Sequence, residues 1–226
     1  MRMTTAPSIR PKPLMEARYA GAYYFRAADR RVVSVNTGAE ARLIILLSGR
    51  YLADPRKGSA LEPIDAAAGD VVLWRAGEER LETNDPTHPV YCLVILLDLD
   101  GIPAHLPRQV HDSRGLIRRL GETLVELRTE SPALRAATET GYLAGLLAEY
   151  IRLAHLKKDE LAYRVSRYIE DHITEPIRLA DLARHVGLQQ HHFARKYRAH
   201  TGRTPLDEVR RIRADFARGM LGEKRK

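Results

Sequence analysis

The stretch Ile177–Ala217 reads IRLADLARHVGLQQHHFARKYRAHTGRTPLDEVRRIRADFA, and the fold is decided there. Leu179, Leu182, Ala183 and Val186 recur at helical spacing, which predicts a short helix with one apolar face. Gly187 follows where a sharp turn needs a positive φ that a side chain would resist. A second apolar set, Leu188, Phe193 and Tyr197, puts its last two residues one turn apart on the next helix. Two short helices around a glycine-containing turn are the pattern of a helix-turn-helix. Its expected core is Leu182, Ala183, Val186, Gly187, Phe193 and Tyr197, with Ala183 small where the helices cross closely. The outward positions Gln190, His191, Ala194, Arg195 and Arg198 are polar or small and include no acid. Such a surface suits the edge of a nucleic-acid duplex.

Three motifs extend this reading: LADLARHVGL at 179–188, FARKYR at 193–198 and TGRTP at 201–205, followed by the helix containing Arg211 and Ala217. In these the chain resembles the AraC/XylS family of bacterial transcription regulators. The resemblance implies a cytoplasmic regulator that binds double-stranded DNA, contacts RNA polymerase, forms a homodimer and answers to a small-molecule effector. It departs from the family at Gln189, where a serine usually caps the recognition helix. The family's DNA-binding region carries two helix-turn-helix units, and this sequence stops at Lys226, so only the first is expected. Gln190, His191 and Arg195 are the expected base contacts in a major groove, and Gln189, Lys196, Arg198 and Arg203 the expected phosphate contacts. The alternative is a truncated regulator that dimerises or binds ligand without productive DNA binding.

Charge supports a polyanion partner at one end. From Leu161 onward fifteen Lys/Arg face eight Asp/Glu, leaving 22 against 21 in the first 160 residues, so +7 of the net +8 lies in that last part. Basic charge alone is usually a solvated surface; here it coincides with the motif. Cys92, the one cysteine, sits in the apolar run VYCLVILL and reads as a small buried hydrophobe. The N-terminal MRMTTAPSIRPKP has no apolar signal core, and no apolar run is long enough to span a bilayer.

Residues 1–18 read as a flexible arm, with β signals from Tyr19 to about Leu99. Arg31–Val35, Ala41–Leu47, Val71–Trp74 and Val90–Leu97 are the strand-like runs, which suggest a sandwich or small barrel. Within the resemblance this looks like a cupin-type effector domain, marked by SGR at 48–50 and AGDVVLW at 68–74. A cupin metal site needs spaced histidines facing one ion. Residues 30–50 contain none, His88 has no spaced partner, and Arg80 stands where a third ligand would come. Neither a metal, a cofactor nor an enzyme is expected. Tyr23, Tyr24, Arg31 and Trp74 are candidates to line an effector pocket, although aromatics in strands are more often core; the effector-binding residues stay unknown.

Leu116, Ile117, Leu120, Leu124 and Leu127 mark one helix, and Ser131-Pro132 opens a longer one carrying Leu134, Ala137, Tyr142, Leu146, Leu147, Tyr150, Ile151 and Ala154. That helix serves either a dimer interface or intramolecular packing. Lys157-Lys158-Asp159 reads as a linker, and Val165, Tyr168 and Ile169 share a face of the next helix. Of His185, His191, His192 and His200, adjacent pairs diverge around a helix, so no zinc site is expected; His192 is expected half-buried. The prediction is an α+β chain: a cupin-like β-barrel or sandwich with packing helices over 19–156, then a small all-α helix-turn-helix domain over 160–226.

Overall fold

The computed structural model describes residues 16–27, 33–37, 40–55, 62–100, 106–127, 131–156 and 160–221. The linker residues 157–159 and the candidate Arg31 lie outside them. The architecture is α+β. Among the described residues the strands are β1 (Glu16–Arg26), β2 (Val33–Thr37), β3 (Ala41–Ser48), β4 (Tyr51–Pro55), β5 (Ile64–Ala66), β6 (Asp70–Trp74), β7 (Glu79–Asn84), β8 (Tyr91–Asp100) and β9 (Gln109–His111). They form two antiparallel sheets, ordered β1-β8-β3-β6-β9 and β2-β7-β4-β5. Residues 16–18, expected in the arm, instead open β1, which pairs along its length with β8; the rest of the expected arm lies outside the described residues.

Strands β3, β6 and β8 are the apolar runs, and the reason is that their sheet is covered on both faces. Ile44, Leu46, Val72, Trp74, Cys92 and Val94 point toward the second sheet, where Tyr51, Ala53, Ile64 and Ala66 meet them. Leu43, Ile45, Leu47, Val71, Leu73, Leu93, Ile95 and Leu97 point the other way, against helices α1 (Leu116–Glu126) and α2 (Pro132–His155). Burying each such side chain stabilises by roughly 1.5–3 kcal/mol relative to exposure. Helix α1 comes so close that a Cβ on Gly121 would lie 2.8 Å from Ile45 Cδ1. It is capped from outside by Asp112, whose carboxylate accepts from the Leu116 and Arg118 backbone N–H groups at 2.9 and 3.0 Å.

Two details of α2 depart from expectation. Ser131 occupies the N-cap position with no side-chain hydrogen bond to the first turn. Leu134 is 57% exposed and Ala137 is exposed, so burial begins only near Leu143, where the helix reaches the sheet.

Helices α3 (Glu160–Asp171), α4 (Leu179–His185), α5 (Gln190–Thr201) and α6 (Pro205–Leu221) build their own core from Val165, Ile169, Leu182, Ala183, Phe193, Tyr197, Val209 and Ile212. They dock tightly on the sandwich. A Cβ at Gly219 of α6 would meet Tyr91 Cβ at 2.8 Å. Arg118 of α1 forks onto Asp215 of α6, with Nη2 donating to Oδ1 at 2.9 Å. Arg167 of α3 forks onto Asp65 at 2.9 and 3.0 Å. Burial alone would raise the Asp65 carboxyl, but hydrogen bonds from Arg50 and Arg167 bring it down to about 2.

Candidate nucleic-acid interface

The turn between α4 and α5 is built by backbone geometry. Gly187 has φ +73°, the left-handed conformation expected of it. Its N–H donates to the Arg184 carbonyl at 3.1 Å, and the Leu188 N–H reaches back to the Ala183 carbonyl at 2.9 Å. This paired closure is a Schellman motif, which satisfies the last carbonyls of α4 and turns the chain. At the other end of α4, Asp181 accepts from the Arg178 backbone N–H at 3.0 Å. Leu182, Ala183, Val186, Phe193 and Tyr197 are all buried, so α5 is held by one side and leaves the other free.

On that free side Gln189, Gln190, His191, Arg195 and Arg198 are exposed. Successive positions 191, 195 and 198 lie on one helical face. The surrounding basic residues behave differently. Arg213 is held by the carbonyls of Ile173 and Glu175, Arg164 by the His185 carbonyl, and Arg210 by Asp207 at 2.6 Å. Arg211 bonds Glu208 and Asp215. Burial pushes the Glu208 carboxyl up, yet Arg211 and Arg203 outweigh burial and hold it below its ordinary value. By contrast the side chains of Arg195, Lys196 and Arg198 make no hydrogen bond or ion pair with any described residue.

Two of the sequence-predicted residues, Arg203 and His192, are placed otherwise than expected, and Lys196 sits at the edge of a cleft. Arg203 turns inward: Nε donates to Glu208 at 2.9 Å and Nη2 to the Ser113 carbonyl at 2.9 Å, joining α6 to the sandwich side. Lys196, with Ala199 and His200, lines an open cleft of about 880 Å³ against Arg114, Glu149 and Arg152. His192 is exposed and not half-buried, because the core is already filled by its neighbour Phe193. Of the pocket candidates, Trp74 is buried between the sheets, while Tyr23 and Tyr24 are exposed. Sequence reasoning missed the roles of Arg118, Asp215 and Glu170; each is fixed by a partner far along the chain, which no local pattern reveals.

Geometry alone therefore defines a helix-turn-helix protein whose second helix presents unpaired cations beside a two-sheet sandwich. Its helix-turn-helix is of the AraC type: residues 169–210 match the family of bacterial regulatory helix-turn-helix proteins, AraC family. The match covers α4, α5 and the start of α6, the segment that holds the helix-turn-helix. No curated protein matches it. Among solved structures it is similar to ToxT from Vibrio cholerae at 10% identity, over 92% of this chain and 86% of that one, with a TM-score of 0.37. A protein of unknown function from Rhizobium leguminosarum bv. viciae is similar over 42% of this chain and 95% of its own, at 20% identity and a TM-score of 0.30. Among the described residues no helix is long and apolar enough to cross a membrane.

Proposed function

We propose that the chain is a sequence-specific regulator that inserts α5 into a major groove and answers to a small molecule held by the sandwich. Gln190, His191 and Arg195 read base edges; Gln189 and Arg198 hold phosphates, with Lys196 at the margin toward the cleft. The single observation that supports this is the contrast just described. The other arginines of α3–α6 that bear on the motif have internal partners, whereas Arg195, Lys196 and Arg198 on α5 have none. An arginine fork offered without an internal acceptor matches guanine O6 and N7 in a major groove. The activity is binding, not catalysis. A homodimer would present two such helices together, and sedimentation of the free chain reads that state.

Roles within α5 separate by their sequence dependence. Arg195→Ala removes about 1–3 kcal/mol at the preferred site and relaxes discrimination at one base pair. Arg198→Ala weakens every duplex alike and reduces the salt dependence by about one unit of slope. Anisotropy titrations on matched and mismatched duplexes check both. Equal, sequence-independent losses from the two variants would overturn the assignment. Absence of DNA binding at low salt would favour a chain that dimerises or binds ligand without productive DNA binding.

A further inference from the structure

Between the two sheets, where apolar packing is the rule, the chain gathers arginines around one tryptophan. Arg42 of β3 is the cross-strand partner of Trp74 of β6, so the two side chains leave the same face. Ile44, Val72 and Val94 also line that face. Arg80 comes from the opposite sheet on β7; its side chain is 1% exposed, and its guanidinium carbon lies 4.6 Å from the Trp74 ring centre. Arg108, just before β9, brings its guanidinium carbon within 4.9 Å of the same centre.

Two carboxylates answer part of this charge. Glu82 accepts from Arg80 Nε at 2.7 Å and from the Tyr51 hydroxyl at 2.7 Å, and Trp74 Nε1 donates to that hydroxyl at 3.0 Å. Glu78 accepts from Arg108 Nη2. Donors remain over. Arg42 Nε, Arg80 Nη2 and Arg108 Nη1 are each buried and have no hydrogen-bond partner among the described residues. A buried donor without an acceptor is destabilising, and more so on a charged group. Two of these guanidinium groups lie over the Trp74 ring and the third is on its cross-strand neighbour, and three such nitrogens call for an acceptor that carries negative charge. Cation–π contact with Trp74 steadies the guanidinium groups but supplies no acceptor.

We propose that Arg42, Arg80 and Arg108 form an internal site for a small organic carboxylate, with Trp74 as one wall. A guanidinium fork matches the two oxygens of a carboxylate, which supplies the missing acceptors. The apolar side chains Ile44, Val72 and Val94 favour a ligand with a hydrocarbon or aromatic body over a bare inorganic anion. This inference rests on the ligand-responsive half of the function proposed above, and names the ligand class and the residues that bind it.

Trp74 is the only tryptophan in the chain, so its fluorescence reports on this site alone. The full chain is titrated with benzoate and with octanoate, and in parallel with benzyl alcohol and inorganic phosphate. Expected is a saturable change in Trp74 emission with at least one carboxylate and none with benzyl alcohol. Arg42→Gln, which leaves the Arg80–Glu82 bridge in place, weakens carboxylate binding at least about tenfold; circular dichroism establishes that this variant is folded. No saturable response to either carboxylate, an equal response to benzyl alcohol or to phosphate, or undiminished affinity in folded Arg42→Gln overturns the proposal. Anisotropy on duplex DNA with and without saturating carboxylate separates the two readings. Saturable fluorescence without a change in DNA affinity removes the responsive function and leaves the site standing.

Discussion

At the scale of single residues, Asp215 shows how a buried charge holds two parts of the chain together. Its side chain is 1% exposed and accepts from Arg118, Arg211 and Arg218. Removing it leaves Arg118, well buried, with Glu122 alone and Arg211 with Glu208 alone, so each keeps part of its charge uncompensated at one place. Breaking a buried pair from one side typically costs about 3–5 kcal/mol. Asp215→Ala should fall in that range by denaturant melting; a change within about 0.5 kcal/mol, the spread of ordinary surface substitutions, would show the cluster to be solvated. Arg218→Ala removes an exposed donor from the same carboxylate and should cost about 1 kcal/mol or less.

Individual elements show what the sequence could and could not say. The α4–turn–α5 unit was legible because its apolar spacing, Gly187 and crossing residue Ala183 are local signals, and all survive in the structure. Long strands β3 and β8 were legible as apolar runs. Short β5 and β9, three residues each, carry too few positions for a period, and β7 reads as polar because Arg80 and Glu82 face inward. The candidate α5 residues could be named from helical spacing, but the inward turn of Arg203 depends on Ser113, ninety positions away. Within α5 the departure at Gln189 has an energetic trace: it sits at the N-cap in an extended conformation and its side chain makes no capping bond. Gln189→Ser supplies an oxygen of the right reach to a free N–H and should stabilise the chain by about 0.5–2 kcal/mol. A rise in melting temperature checks this; an unchanged or lower one means that another group already satisfies that end.

For the whole molecule, the seam between α3–α6 and the sandwich carries a pH dependence. Glu170 is buried on α3 and accepts from the Gly49 backbone N–H at 2.9 Å. Burial pushes its carboxyl up to about 8; the Gly49 N–H, Arg211 and Arg167 pull the other way, and Asp171 adds to the rise. The folded chain thus keeps a proton that the unfolded chain gives up at an ordinary glutamate value. The resulting stability is full below that ordinary value and is lost as pH rises through about 8. Thermal melts on either side of about 8 should show the wild type weakening with rising pH and Glu170→Gln holding level. Parallel curves for the two proteins would remove Glu170 as the cause.

The closeness of α6 to β8, where Gly219 leaves no room for a Cβ beside Tyr91, has a consequence for cooperativity. A reader head on a slack tether melts by itself, giving calorimetry two separate heat absorptions. Here the head and the sandwich interlock at Gly219, Asp215, Asp65 and Gly49, so neither opens without exposing the other's buried surface. The slowest amide protons of α5 should therefore exchange with solvent at the same rate as those of β3 and β8, through opening of the entire chain. Any signal that frees the helices must first supply a substantial part of the energy that keeps the whole protein folded.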